Sequence, residues 1–270
     1  MHSMQPNSKP THRSLHRAIA ILREFTELEP ALTVGEISDR LGLHKSTVSR
    51  ILGALLEEGM VWHNSETGRY SLGMSVVEMA GIALGQIDVR AAAMPHMEQL
   101  GLATGETIAV VVHRRREAVT VAHVPSTRPI RHVVWIGRRI PLRTTAAGKV
   151  FLAALYSRGE DWRSLVGSSE QDFPPGWEEG LGPELAAIVE RGYAHEAGEF
   201  ESGTAAIAAP IVDRAGNPIA ALSISGPSVR FDSHARKAAA PLLIEVANDV
   251  AAELDGRSQR DLAENRSRTG

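Results

Sequence analysis

Two groups of residues in this 270-residue sequence have types and spacing suited to chemistry. The first is Lys45, Ser46, Thr47, Ser49 and Arg50, with Arg69 further on. Lysine and arginine neutralise phosphates or reach guanine edges, and serine and threonine hydroxyls bond either phosphate or base. The second is the run Thr145, Ala146, Ala147 and Gly148 ahead of an apolar stretch, together with Ser223 and Ser225. If the stretch is helical, its first backbone N–H groups are unsatisfied donors and suit a carboxylate. Ser223 and Ser225 are two apart, so on a strand both hydroxyls share one face. An acidic run, Glu196, Glu199 and Glu201, lies between these segments.

The first group needs a frame that presents it, and the flanking sequence supplies one. Leu15, Ala18, Ile19, Leu22 and Phe25 recur at helical spacing. Thr33 and Glu36 have the spacing of a capping box. Val34, Ile37 and Leu41 form the next apolar stripe, and Gly42 ends that helix. Val48, Ile51, Leu52 and Leu55 put an apolar face on a third helix, which leaves Lys45, Ser46, Thr47, Ser49 and Arg50 at its start. Gly59 stops it, and "MVWHNSETGRYSL" reads as strand, turn at Glu66-Thr67-Gly68, and strand. Helix, turn, helix and hairpin in this order are a winged helix-turn-helix, a device that sets one helix in the DNA major groove. Arg69, just past the wing turn, is expected at a flanking phosphate or the minor groove. The competing account is a small helical subdomain with a solvated polar face.

Composition narrows the remaining classes. A hydrophobic share of 43% and a charged share of 23% are those of an ordinary globular chain. The net charge of −3 does not advertise a nucleic-acid partner, but a local basic patch decides that, not the total. With no cysteine, disulfides, thiol nucleophiles and cysteine-ligated metals are excluded. No run approaches the ~20 apolar residues of a membrane span, and the start has no signal-peptide core; the expected location is cytoplasmic. "AAGKV" resembles a phosphate loop only in part, since Arg143 and Val150 stand where glycine and a hydroxyl residue belong. Neither a G-x-S-x-G elbow nor an H-E-x-x-H motif occurs. His113, His123, His132 and His195 sit in or beside expected strands. The sequence is read as a non-enzyme without catalytic residues, metal or cofactor.

Along the chain, 1–12 reads as a disordered arm, 13–73 as the winged helix-turn-helix, and 74–88 as a linker helix. Residues 89–254 form a second domain and 255–270 a disordered tail. Met74, Val77, Ala80, Ile82 and Leu84 give the linker its helical spacing, and Pro95 is expected to kink the helix after it. "TIAVVVH", "AVTVAHV", "IRHVVWI", "YAHEAG", "TAAIAAPIVD" and "PIAALSIS" read as strands; "TAAGKVFLAAL", "PELAAIVERG" and 233–254 read as helices. The mixed order, closing on a hairpin and a covering helix, predicts an α+β domain.

Three blocks in order then resemble one family. "SLHRAIAILREF…LTVGEISDRLGLHKSTVSRILGALLEEG…ETGRYSLG", "GRRIPLRTTAAGKVFLA" and "GYAHEAGEFESGTAAIAAPIVDRAGNPIAALSISGP" are similar to the IclR-type transcriptional regulators. The resemblance implies a winged helix joined to a GAF-like effector domain with an antiparallel sheet and covering helices. It implies dimers, often paired into tetramers, that bind double-stranded operator DNA and a small organic acid, without a membrane. By the same resemblance the effector pocket is lined at Thr145, Ala146, Ala147, Gly148, Glu196, Ala206, Ser223 and Ser225. Val134, Trp135 and Ile140 supply its apolar wall. Ala206 replaces a cysteine frequent in the family, which removes a polar contact. "RHVVWIGRR" suggests Trp135 as a stacking wall for a bulky acid, with Arg131 or Arg138 as counter-charge. Two alternatives stay open: the serines are satisfied strand residues, and the second domain only oligomerises.

Overall fold

The computed structural model describes residues 10–114, 117–166 and 177–268. The chain divides into two compact units, 1–86 and 87–270.

The first unit opens with α1 (Pro10–Glu24) and the short β1 (Ala31–Thr33), then α2 (Val34–Leu41) and α3 (Lys45–Glu57). A hairpin of β2 (Val61–Asn64) and β3 (Arg69–Leu72) follows, and α4 (Met74–Gly85) closes it. Helix α1 starts within the stretch expected to be a disordered arm; Pro10, with its φ already helical, is a favoured first residue. Residues 1–9 lie outside the described residues. Thr33 caps α2 through a complete capping box with Glu36, and Gly42 closes that helix at φ +61°. Strand β3 lies between β1 and β2, antiparallel to both. Ile21, Phe25, Leu32, Ile37, Val48, Leu52 and Val61 form one buried cluster. Each such side chain contributes about 1.5–3 kcal/mol relative to exposure.

The second unit begins with α5 (Asp88–Thr104), which contains Pro95 without ending there. A six-stranded antiparallel sheet follows: β4 (Thr107–Arg114), β5 (Glu117–Val124), β6 (Arg139–Ile140), β7 (Ala194–Ala197), β8 (Thr204–Val212) and β9 (Pro218–Pro227). Its spatial order is β6-β5-β4-β9-β8-β7. Between β6 and β7 come α6 (Ala146–Ser157), α7 (Arg163–Val166) and α8 (Trp177–Arg191), and α9 (Ser233–Arg268) ends the fold. Helices α5 and α9 pack on one face of the sheet and α6 on the other, with α8 against α6. This is the expected α+β architecture of winged helix plus helix-covered antiparallel sheet.

Three further expectations differ from the structure. "IRHVVWI" forms no strand: β5 finds its outer partner at Arg139–Ile140 instead. The segment is tied down by other means, including a bond from Thr107 Oγ1 to the His132 carbonyl (2.9 Å). Helix α8 starts before Pro183, held on either side of it by buried Leu181 and Leu185. Helix α9 continues past the expected end at Leu254 to Arg268, through the stretch read as a disordered tail. That stretch is charged but rich in helix-forming residues, and Arg257 pairs with Glu253 one turn back (2.5 Å).

One glycine sets how closely α6 approaches its neighbour. A Cβ on Gly148 would lie 2.4 Å from the Leu142 backbone. Gly148→Ala is expected to cost about 3 kcal/mol in chemical denaturation, the scale of an overpacked core, and a cost below about 0.5 kcal/mol would contradict the close approach.

Candidate DNA-reading helix and ligand cavity

Helix α3 is held by Val48 and Leu52, both fully buried. Its period then leaves Lys45, Ser46, Ser49 and Arg50 exposed, with Thr47 half-buried. His44 precedes it as N-cap: its Nδ1 accepts the Ser46 N–H (3.3 Å) and lies 2.7 Å from Ser46 Oγ. Arg69, just past the wing turn and half-exposed, makes contacts within its own unit. Its guanidinium donates to the Ala31 carbonyl (2.7 Å) and to both Glu36 carboxylate oxygens (3.2 and 3.1 Å). The capping-box glutamate therefore also ties the wing to α2.

In the second unit, register builds the cavity floor. Glu196 of β7 pairs with Ala206 of β8, Ala206 with Ser225 of β9, and Ser223 with Ala109 of β4. These residues share one face of the sheet, under the start of α6. Thr145 caps α6, its Oγ1 accepting the Gly148 N–H (3.1 Å). The first turn of the helix thus meets the sheet over a cavity of about 470 Å³ between atoms, its open mouth included.

Thr145, Ala146, Ala147, Glu196, Ala206, Ser223, Ser225, Val134 and Ile140 all line this cavity. Gly148 does not: its N–H belongs to Thr145, and its missing Cβ admits Leu142. Trp135 and Arg131 are also absent from the lining, and Trp135 stacks behind Arg138 instead. The lining that sequence reading did not assign is Ala109, Val111, Thr120, His132 and Phe200, together with Arg138, named only as one of two possible counter-charges. Ala109 reaches that face through the long-range pairing of β4 with β9, which no local signal specifies. Phe200 carried no signal in its own segment.

The polar groups are interlinked. His132 faces Ser225 Oγ through Nδ1 (2.8 Å) and Glu201 through Nε2 (3.0 Å). Arg138 donates to the other Glu201 oxygen, and its guanidinium carbon lies over the Trp135 and Phe200 rings, 4.3 and 4.6 Å from their centres. Burial lowers His132, against the pull of Glu201, and so favours its neutral ring. Burial pushes the Glu196 carboxyl up, while it accepts the Glu199 N–H (3.2 Å). Ser223 donates to the Ala109 carbonyl at 3.3 Å. Among the described residues no cluster of histidine and acidic side chains suits a metal ion. The cavity can bind and orient a small polar molecule.

Comparison with known proteins agrees with this division. Residues 14–64 match the IclR helix-turn-helix domain, and residues 81–252 match the bacterial transcriptional regulator IclR C-terminal domain. The chain belongs to the IclR family. It is 34% identical over 226 residues to the regulator XynR of Escherichia coli K12, covering 83% of this chain and 89% of that protein. It is 30% identical over 253 residues to the E. coli K12 repressor AllR, covering 93% of each. Among solved structures it resembles an IclR homolog from Microbacterium hydrocarbonoxydans complexed with 4-hydroxybenzoate. That match has a TM-score of 0.73 and 25% identity, and covers 90% of this chain and 99% of the other. The chain is accordingly an IclR-family DNA-binding transcriptional regulator, not an enzyme, and none of its described helices is long and apolar enough to cross a membrane.

The Glu36 clasp has a testable pH signature. The Thr33 N–H bond, the Thr33 hydroxyl and Arg69 together hold the Glu36 carboxyl below its ordinary 4.5. A carboxylate depressed on folding stabilises the fold above its unfolded value, and that contribution disappears as pH falls through the folded value. Glu36→Gln should therefore speed hydrogen exchange at the start of α2 near neutral pH. The gap to the parent should close well below pH 4.5; a gap independent of pH would contradict the clasp.

Proposed function

We propose that this regulator reads a pseudo-palindromic operator with α3 and answers to a small organic acid held in the sheet cavity. The observation that carries the reading is the cavity itself, where a helix start, two strand serines and one guanidinium converge on one open-mouthed space. Lys45, Ser46, Thr47, Ser49 and Arg50 are the proposed DNA contacts, with Arg69 as an internal tie of the wing. Thr145, Ala146, Ala147, Glu196, Ala206, Ser223 and Ser225 are the proposed ligand wall, and Ile140 its apolar side. The 4-hydroxybenzoate held by the Microbacterium relative supports an organic acid as ligand class.

Self-association belongs to the same proposal. Helix α4 buries none of its residues, and Met74, Val77 and Ile82 are each at least 62% exposed. Exposed apolar surface of this kind marks an interaction face, and a palindromic site requires two recognition helices at fixed spacing. The working form is a cytoplasmic dimer, with a tetramer as its doubled state. Ligand binding would change operator affinity by a coupling of about 1–3 kcal/mol.

The test is selection of genomic duplexes by the purified protein, followed by anisotropy on the enriched sequence. An inverted repeat should emerge. Arg50→Ala should weaken binding by about 1–3 kcal/mol and leave the melting temperature and its response to organic acids unchanged. The pair Ser223→Ala and Ser225→Ala should keep operator binding and lose the acid response. Loss of both functions in either variant would contradict the division of labour, and enrichment without symmetry would contradict the paired-helix reading.

A further inference from the structure

The cavity holds two ionisable groups of opposite sign and one histidine. Glu196 is 4% exposed and bonded to the backbone of Glu199. His132 is half-buried and divided between Ser225 and Glu201. Arg138 is the one full cation among the described residues that line the space. The nearby Lys149 is not part of the lining; its ammonium is spent on Glu184 (2.8 Å) and Glu199 (2.7 Å).

Arg138 is held in place by two kinds of interaction that act independently. Its guanidinium carbon lies over the Trp135 ring and over the Phe200 ring, contacts that guanidinium favours and ammonium does not reproduce. Its charge is met by Glu201, which does not line the cavity and reaches Arg138 from the loop between β7 and β8. One further bond goes to the Val133 carbonyl (3.4 Å). A guanidinium carries five N–H donors, so donors remain for a molecule in the cavity. The loop bearing Phe200 and Glu201 lies between Gly198 and Gly203, at φ +72° and +81°, conformations that glycine adopts without strain.

Resting on the organic-acid reading above, we propose that Arg138 reads the ligand's carboxylate and that Glu201 is its resident competitor. An entering acid shares or takes over a guanidinium that is already neutralised. A neutral ligand gains nothing there. The device sets a threshold: Glu201 lowers affinity for every anion, so that only an acid filling the rest of the cavity binds well. Phe200 and Trp135 keep the guanidinium in position when its partner changes. Arg138 is thus a binding and specificity residue, and Glu201 tunes it.

The two halves predict opposite signs for two substitutions. The experiment follows the melting of the full chain with acetate, lactate, pyruvate, gluconate and benzoate, each beside its primary amide, at low ionic strength. At least one acid should stabilise the parent protein while its amide does not. Arg138→Gln should weaken that acid about tenfold to a hundredfold, the range of a charge-assisted hydrogen bond, and abolish the preference for acid over amide. Glu201→Gln should tighten the same acid by about threefold or more, because it unmasks a charge the rings still hold. If Arg138→Gln keeps the preference, Arg138 does not read the acid. If Glu201→Gln weakens the acid as Arg138→Gln does, Glu201 only supports the wall and is no competitor. If no acid stabilises the parent protein, the organic-acid reading itself fails and this inference with it. Ligand-free melting of each variant separates loss of binding from loss of fold.

Discussion

An ammonium group with 1% of its surface exposed must find carboxylates or destabilise the protein that buries it, and Lys149 meets that requirement by reaching across to Glu184 and Glu199. Both carboxylates stay partly open to solvent, so the ammonium alone bears the burial and depends on them for its counter-charge. Lys149 lies in the first half of α6, so the pairing fixes where that helix starts relative to the loop between β7 and β8. Glu199 is thereby drawn toward α6, and its N–H meets Glu196. The residues after it, Phe200 and Glu201, then stand where they engage Arg138 and His132. The cavity wall is in this sense the downstream consequence of one buried charge.

The first unit uses a carboxylate in a comparable way. Glu36 completes the cap of α2 and receives Arg69 from the wing. One exposed ion pair contributes little in water. Here the acid also satisfies the Thr33 backbone N–H (2.7 Å), so cap, helix and hairpin are secured through the same group. This leaves α3 free of such duties, with its polar start open to solvent.

Much of this was legible in the sequence because the relevant physics is local. The capping box at Thr33 and Glu36, the left-handed turn at Gly42 and the apolar period of α3 all depend on neighbours within one or two turns. The serine alternation at 223 and 225 and the helix that follows Thr145 are local in the same way. What sequence reading missed depends on tertiary partners. "IRHVVWI" has a strand composition, but its place beside β5 is taken by Arg139–Ile140. The tie between Arg69 and Glu36, 33 positions apart, is likewise a tertiary contact. Gly148 sits at a helix start, yet its role is to admit the Leu142 backbone. Arg138 lies far in sequence from Phe200 and Glu201, and the three become one feature only in the folded domain. The end of α9 was missed for another reason: helix propensity and the Arg257–Glu253 pair carry it beyond the apolar stripe.

The central claim is that the cavity and α3 are two ends of one equilibrium, and linkage makes that claim measurable. Operator affinity should be recorded by anisotropy without and with a saturating acid that raises the melting temperature, and the acid's affinity should be recorded with and without operator. The account predicts a change of about 5- to 150-fold in operator affinity, and the same factor in acid affinity, as reciprocity requires. An acid that binds the cavity and leaves operator affinity unchanged would contradict it.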